Sequence, residues 1–308
     1  PLPQHPPTSS NSCLSVDDLR PPPPADLVTI PVYRLNSEEL RHGLRHHADR
    51  NFVEYIVTAC TEGVDIGYRG PRFYREFHNW PSASLYSDHV EQAIDKDIAS
   101  GIKIGPFAEP PFPDFVGSPM GAFYRKRSDK YRVIHDLSWS WPPGHAINDF
   151  ISKDDFKITY LSLDDVISHI KILGQHTLLA KLDLEAAFHH ISVRPQDFPL
   201  LGSTYYRFNP ITNSFCKEYY YDRVLQFGRR SSPKLFSDFA SAAKIVMHAN
   251  GASYAEHYLD DYVTMGKAGT TECATNLHIM KDTCHDLGFS LNPAKISEPS
   301  TVMEYLGI

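Results

Sequence analysis

Two adjacent carboxylates interrupt a run of residues that otherwise favours β-strand. Asp260 and Asp261 lie where the apolar halves of the segment 257–263 (HYLDDYV) meet. Carboxylates placed side by side at the tip of a hairpin repel each other and weaken the ladder. One explanation is a turn, because Asp is common in turns. The other is a divalent cation, because hard cations are bound mainly by Asp and Glu oxygens. The segment therefore predicts a hairpin with an acidic tip, and both explanations stay open.

A third carboxylate interrupts an earlier apolar run. Asp183 lies near the end of the segment 178–184 (LLAKLDL), which has the composition of a strand. An isolated Asp at a sheet edge would be a purely structural explanation, since charged residues protect edge strands. Three carboxylates on two strands can instead hold two Mg²⁺ ions about 4 Å apart, with Mn²⁺ as a substitute, for in-line phosphoryl displacement. The pattern thus indicates metal-assisted phosphoryl transfer.

Further motifs follow in a fixed order. Phe188 comes five residues after Asp183, and a Gly/Ser/Pro break at 225–233 (LQFGRRSSP) leads into a helical stretch. After the acidic hairpin come 287–295 (LGFSLNPAK) and the terminal 305–308 (YLGI). Over roughly residues 105–308 the series resembles the reverse transcriptase domain of retrotransposon polyproteins, and the strings KLDL and HYLDD are most similar to DIRS-like and gypsy-like elements. Several motifs in one order are far more specific than any one of them.

The resemblance implies a role for each acidic residue. Asp183 and Asp260 would bridge both metal ions, with the backbone carbonyl of Leu184 as a further ligand, and Asp261 would complete the site of the primer-side ion. Such a site lowers the pKa of a primer 3′-hydroxyl and offsets the charge on the leaving pyrophosphate. Replacing Asp183 or Asp260 with Asn is expected to abolish synthesis, because Asn supplies no charge.

The resemblance also implies how a nucleotide is bound. Phe188 resembles the steric gate that selects deoxynucleotides, although large aromatic side chains are often simply core. Arg132 and one of Arg125 or Lys126 resemble the two cations that grip the triphosphate, a task that suits guanidinium forks. Lys295 matches the lysine thought to assist pyrophosphate departure; its structural alternative is a solvated loop lysine.

The template side carries the clearest departures from the family. Phe227 and Gly228 fall where reverse transcriptases line the template-base pocket, and Gly permits close approach of the backbone. Gln226 stands where Pro is expected, and Arg229–Arg230 stand where apolar or small residues are commoner. These extra cations would either strengthen phosphate contact or mark drift. Tyr305–Gly307 resembles the start of the primer-grip hairpin.

Composition limits the class of protein. With 308 residues and 42% hydrophobic content, the chain can bury a substantial core. A net charge of −7 is unusual for a nucleic-acid binder, but residues 125–132 carry five cations and one acid. The five cysteines show no C-x-x-C spacing, and no apolar run is long enough to span a bilayer. We therefore expect an intracellular protein, in cytoplasm or nucleus, with no membrane partner.

The chain is predicted to have three parts. Residues 1–35 are Pro-rich and predicted to be a disordered lead-in. Residues 36–104 are predicted to be helical, with caps at Ser37 and Asp49 and a capping box from Asp88 to Glu91. Residues 105–308 alternate short strands with helices. We expect an α+β fold there, the fingers and palm of a right-hand polymerase with a ferredoxin-like antiparallel sheet backed by helices.

The resemblance leads to one leading hypothesis and one alternative. The first is an RNA-directed and DNA-directed DNA polymerase core that binds an RNA or DNA template with primer, together with dNTPs. The alternative is an inactive or domesticated relic that only binds nucleic acid. A palm-fold nucleotide cyclase is disfavoured, because the Gly-Gly-acidic turn of that class is absent. The chain lacks an initial Met and stops within the primer-grip motif, so we expect a piece of a longer polyprotein without its thumb.

Overall fold

A computed structural model of the chain describes residues 34–126, 129–140 and 146–307. The predicted disordered lead-in therefore lies outside the described residues, apart from its last two positions. Within the described ranges, two compact units form. One comprises Pro71–Trp139 and Phe198–Asp222, and the other the segments up to Gly70, from Ser140 to Asp197, and from Arg223 onwards. The division of the chain at residues 35 and 104 stays a prediction.

The described residues form seven α-helices and eleven strands. The helices are α1 Ser37–Gly43, α2 Arg50–Glu62, α3 Pro81–Leu85, α4 Ser87–Ala99, α5 Leu163–Leu173, α6 Ser232–Ala249 and α7 Glu272–Leu287. The strands are β1 Arg75–Glu76, β2 Lys103–Phe107, β3 Val116–Gly117, β4 Met120–Arg125, β5 Lys130–His135, β6 Leu178–Asp183, β7 Gly202–Asn209, β8 Ser214–Asp222, β9 Glu256–Tyr258, β10 Asp261–Gly266 and β11 Ser297–Ser300. Short 3₁₀ helices cover Ile147–Phe150, Ala187–His190, Pro195–Leu201 and Pro293–Lys295. The predicted α+β class is confirmed.

The first unit is built on a five-stranded sheet in the order β1–β3–β7–β8–β2. A separate antiparallel hairpin, β4–β5, carries the basic turn, with Arg125 paired with Lys130. The apolar core lies between the helices and these strands and includes Val90, Ile94, Met120 and Tyr220. Residues 120–125 pair with residues 130–135 in this hairpin.

The second unit is built on a four-stranded antiparallel sheet in the order β11–β6–β10–β9. Successive side chains of β10 point to opposite faces of this sheet. Val263 lies in an apolar cluster with Val166 of α5, whereas the hydroxyl of Tyr262 donates to the Ala240 carbonyl of α6 at 2.9 Å. Helix α7 packs on β10 and β6. Helices therefore back the sheet, as predicted.

Two of the predicted helix caps are corrected by the structure. Asn36, not Ser37, caps α1, because its side chain accepts from the Glu39 N–H at 3.2 Å. Asp49 caps α2 as predicted. The predicted box from Asp88 to Glu91 is wrong, because α4 begins at Ser87 and follows Tyr86, which makes no side-chain cap. Asp88 therefore lies inside the first turn instead of before it.

Two further features concern the cysteines and the length of the apolar helices. The four cysteines in the described ranges are buried and free, so none of them forms a disulfide there. Among the helices that the structure describes, none combines the length and apolar character that a bilayer-spanning helix requires.

Candidate active site

Asp183 and Asp261 lie directly opposite each other on the two central strands of the second unit. Asp183 ends β6, Asp261 begins β10, and the ladder pairs these two residues. Strand β6 has neighbours on both sides, β11 and β10, so Asp183 is not an edge residue. Its side chain is almost completely buried, with the residue 4% exposed. Protection of a sheet edge is therefore excluded as the reason for this carboxylate.

Asp260 lies in the turn that joins β9 to β10. The ladder pairs Tyr258 with Asp261, which leaves only Leu259 and Asp260 in the loop. Leu259 has a positive φ of 52°, whereas two-residue hairpin turns usually place Gly, Asn or Asp at such positions. The N–H of Leu184, just beyond β6, donates to the Asp260 carbonyl at 3.1 Å. The predicted hairpin with an acidic tip is confirmed, and the third carboxylate lies at that tip.

The acidic cluster perturbs the ionisation of Asp261. Burial raises the pKa of Asp261 to about 6, and the hydrogen bond with Asp183 and the charges of Asp260 and Asp183 act in the same direction. Lys295 acts in the opposite direction and lowers that pKa. Carboxylates forced together in this way favour a bound cation, because a nearby positive charge stabilises their ionised forms.

Lys295 supplies that positive charge in this structure. Its Nζ lies 2.7 Å from Oδ1 of Asp183. Backbone pairing determines this position: the Glu185 N–H donates to the Ser290 carbonyl and the Asn292 N–H to the Asp183 carbonyl, each at 2.9 Å. The side chain of Lys295 is 58% exposed, but its ammonium group is ion-paired. A solvated loop lysine is therefore not an adequate description.

The chemistry of the donor set fits a divalent cation, although the side chains do not surround one here. The predicted ligands are all hard oxygens on two neighbouring strands and their turn. Two of them, Asp183 and Asp261, are adjacent and carry excess negative charge. Within the described ranges, however, no group of three or more His, Cys, Asp or Glu side chains is placed to hold a metal ion. Lys295 is the counterion of Asp183 instead.

Phe188 is part of the core in this structure. It lies in the 3₁₀ helix Ala187–His190, which begins directly after Ala186, a residue with a positive φ of 49°. The ring is 8% exposed, with centroids 4.6 Å from Phe227 and 5.6 Å from Phe236. The core explanation is thus supported directly. A role as sugar gate stays a prediction, and it depends on the small exposed fraction of the ring.

The contacts within the segment 226–230 show what the residues that differ from the family pattern bind in this structure. Phe227 is half-exposed, and Gly228 has φ +91°, a conformation that favours Gly. The Arg229 side chain is buried, and its Nη2 donates to Oε1 of Gln226 at 2.8 Å. Nη1 of Arg230 donates to the carbonyl oxygens of Asn148 and Ile151, the latter at 2.8 Å. Both guanidinium groups therefore bind groups of the protein itself, and their suggested contact with template phosphate stays a prediction.

The predicted triphosphate cations lie in the first unit. Arg125, Lys126 and Arg132 are all exposed on the β4–β5 hairpin and the turn after β4. Their proposed contact with a nucleotide stays a prediction.

Two residues near the acidic site, Tyr305 and His257, make contacts that were not predicted from the sequence. The Tyr305 hydroxyl donates to the Asp261 carbonyl at 3.2 Å. The ring of His257 contacts both Leu259 and Ser241. Tyr305 and His257 lie inside motifs that the sequence singled out, but their partners are set by tertiary packing. The alternation of HYLDDYV, which puts His257 and Tyr262 on one face of the hairpin, is the signal that points to His257.

Two solved structures have a similar fold. The foamy viral protease–reverse transcriptase in complex with dsDNA has a TM-score of 0.55 and 14% identity, with 89% of this chain and 54% of that chain covered. The native prototype foamy virus protease–reverse transcriptase has a TM-score of 0.51 and 15% identity, with coverages of 86% and 31%. The fold is thus that of a reverse transcriptase polymerase region, and the chain spans about half or less of these proteins.

The sequence identifies the family independently. The profile of the family described as reverse transcriptase (RNA-dependent DNA polymerase) matches residues 123–308, more than half of the chain. The chain belongs to the reverse transcriptase family. A search of curated protein sequences finds no significant match.

Proposed function

We propose that this chain is the core of an RNA-directed and DNA-directed DNA polymerase, which transfers a nucleotide from a dNTP to a primer 3′-hydroxyl. The observation that carries the proposal is the pairing of Asp183 with Asp261 on the central strands, with Asp260 in the adjoining turn. The raised pKa of Asp261 supports it, because perturbed carboxylates concentrate at functional sites.

The proposal assigns two divalent cations, Mg²⁺ or Mn²⁺, to these carboxylates. Asp183 and Asp260 would hold both ions, with the Leu184 carbonyl as a further ligand, and Asp261 would hold the ion on the primer side. When bound, the ions would lower the pKa of the 3′-hydroxyl and offset charge on the leaving pyrophosphate. Lys295 would give up its ion pair with Asp183 and so become available to the departing anion.

The substrates are proposed to be deoxynucleotides and a primed RNA or DNA template. Phe188 would exclude a 2′-hydroxyl, and Phe227 with Gly228 would contact the template base. Arg132 and one of Arg125 or Lys126 would bind the triphosphate. The proposal places the chain in the polyprotein of a retroelement, DIRS-like or gypsy-like, that acts in the cytoplasm or nucleus.

Primer extension tests this proposal. The full chain is supplied with Mg²⁺, a poly(rA)/oligo(dT) template–primer and either dTTP or UTP, beside Asp260→Asn and the control Asp286→Asn. Asp286 is an exposed residue of α7. Extension by the wild type and the control with dTTP only, lost in Asp260→Asn, is the expected result. Equal extension by Asp260→Asn would contradict the proposed metal site.

The alternative function is nucleic-acid binding without synthesis. One observation favours it: Lys295, not a third ligand, neutralises Asp183 in this structure. If the wild type does not extend the primer, filter binding on the same duplex decides between the remaining options. Retained binding would support an inactive relic or a core that needs further domains. Absence of binding would exclude both functions for this chain.

A further inference from the structure

The two peptide groups that flank the Cα atom of Asp260 are both held by hydrogen bonds. The peptide after Asp260 is fixed through its carbonyl, which accepts from the Leu184 N–H at 3.1 Å. The peptide before it is fixed through the Leu259 carbonyl, which lies 3.3 Å from Nδ1 of His257. One backbone partner and one side-chain partner therefore hold the backbone on either side of Asp260.

The chemistry of the neighbours fixes the tautomer of His257. Burial lowers the pKa of His257 to about 4, so the ring is neutral at pH 7 and carries one N–H. A carbonyl can only accept, so the proton must be on Nδ1 for the bond to Leu259 to form. Nε2 is then an acceptor, and the hydroxyl of Ser241 on α6, 3.2 Å away, can donate to it. The Leu259 carbonyl therefore sets this tautomer, because the Ser241 hydroxyl can either donate to Nε2 or accept from it.

The held conformation is one that Leu rarely adopts. Leu259 has φ +52°, in the left-handed region that is sparsely populated by residues other than Gly, Asn and Asp. Such conformations persist only where the surroundings over-determine them, and they cluster at functional sites. The bond from His257 to the Leu259 carbonyl is one such constraint. Tyr262, the cross-strand partner of His257, adds a second link from the hairpin to α6 through the Ala240 carbonyl.

We propose that His257, with its tautomer set by the Leu259 carbonyl, is a positioning residue that holds the Leu259–Asp260 peptide and thereby orients the Asp260 carboxylate. The inference deepens the polymerase function proposed above and rests on it. A role in stability alone would require only that the ring fill space, which predicts similar effects for any polar replacement of similar size.

Two replacements of His257 separate these roles. Asn places an amide nitrogen where Nδ1 lies and so keeps a hydrogen-bond donor for the Leu259 carbonyl. Gln places its amide where Nε2 lies, so the Leu259 carbonyl loses its donor. In single-nucleotide insertion of dTTP we expect His257→Asn to stay close to the wild type. His257→Gln should lose about 10- to 100-fold in kcat, typical for supporting residues of a metal site. The KM for dTTP should change little, because the defect lies in the transition state.

Thermal denaturation is measured on both variants. If the two lose kcat equally, or if each loss follows a loss of folded protein at the assay temperature, His257 is structural and the proposal is overturned. Wild-type kcat in both variants overturns it as well.

Histidine ¹⁵N NMR tests the proposal without any synthesis. The His257 signals should show the Nδ1–H tautomer at pH 7. An Nε2–H tautomer in the wild type overturns the proposal even if the chain proves inactive. Failure of primer extension by the wild type, with the Nδ1–H tautomer present, would count against the polymerase function only.

Discussion

At the residue scale, Asp183 and Asp261 are directly opposed at the ends of two neighbouring strands. Their pairing across the ladder brings like charges into contact, and like charges directly opposite each other destabilise a sheet. Lys295 offsets this repulsion by its ion pair with Asp183 at 2.7 Å. A cation that binds Asp183 must displace this ammonium group. Lys295 is therefore expected to compete with metal as well as to assist synthesis.

This competition predicts that the loss of Lys295 strengthens metal binding but weakens synthesis. Lys295→Gln should bind Mn²⁺ more tightly, by about 2- to 5-fold, the range of a partly exposed ion pair, while primer extension falls. Mn²⁺ binding by EPR, in the absence of nucleotide, measures the first effect. Lys281→Gln is the matched control, because Lys281 forms a 2.8 Å ion pair with Glu298 on the outside of the same unit. Unchanged or weaker Mn²⁺ binding by Lys295→Gln would show that no competition exists.

Phe188 packs in the core and is also proposed to contact the sugar of the incoming nucleotide. Phe188→Leu should cost about 1 kcal/mol of stability, as for volume-conserving core changes. If the exposed edge of the ring excludes a 2′-hydroxyl, the variant should also raise UTP insertion relative to dTTP by about 10-fold or more.

Phe236→Leu is the control for this prediction, because Phe236 contacts Phe188 and is completely buried. It should lose stability without a change in sugar selection. If both variants select dTTP as the wild type does, Phe188 is a core residue only.

At the element scale, the loop that carries Lys295 is fastened by a buried histidine. Nε2 of His190 accepts from the Ser290 N–H at 2.9 Å, and its Nδ1 lies 3.2 Å from the Ala187 carbonyl. Burial lowers the pKa of His190 to about 4. Protonation would place a proton on the nitrogen that accepts from Ser290 and so break this bond.

The lowered pKa gives a prediction for stability against pH. Between pH 6.5 and 4 the unfolded chain binds a proton at His190 that the folded chain does not, so the free energy of unfolding must fall as pH falls. The full effect is about 3 kcal/mol for this residue. His190→Gln keeps an acceptor for Ser290 but does not titrate. Urea unfolding at pH 7 and pH 5 should therefore show a smaller loss for this variant than for the wild type.

The exposed His278 provides the comparison for this measurement. His278→Gln should leave the wild-type pH dependence unchanged. Equal slopes for His190→Gln and the wild type would mean that protonation of His190 is not linked to unfolding.

The elements themselves were predictable where the signal is local. The apolar residues on either side of the Asp pair were sufficient to predict the β9–β10 hairpin, and Asp49 is a cap as the sequence indicated. The start of α4 was missed, because α3 ends at Leu85 and leaves only Tyr86 between the two helices. A capping box read from Asp88 and Glu91 cannot anticipate where the preceding helix ends.

At the scale of the whole molecule, the contacts missed from the sequence are those between distant segments. Lys295 and Asp183 are separated by 112 residues and meet only because backbone pairing aligns 290–292 with 183–185. Tertiary packing also buries Arg229 and brings Arg230 within hydrogen-bond distance of carbonyls near residue 150. A sequence shows that a cation is present, but not whether a neighbour inside the protein already binds it.

The central claim is that the paired carboxylates of the second unit catalyse templated DNA synthesis. Extension of a labelled oligo(dT) primer on poly(rA) by the full chain, with Mg²⁺ and dTTP, tests it most directly when Asp183→Asn and Asp286→Asn are assayed in parallel. We expect extension by the wild type and Asp286→Asn, and none by Asp183→Asn or by the wild type in EDTA. Extension that survives Asp183→Asn would show that the polymerase activity resides elsewhere and would contradict the claim.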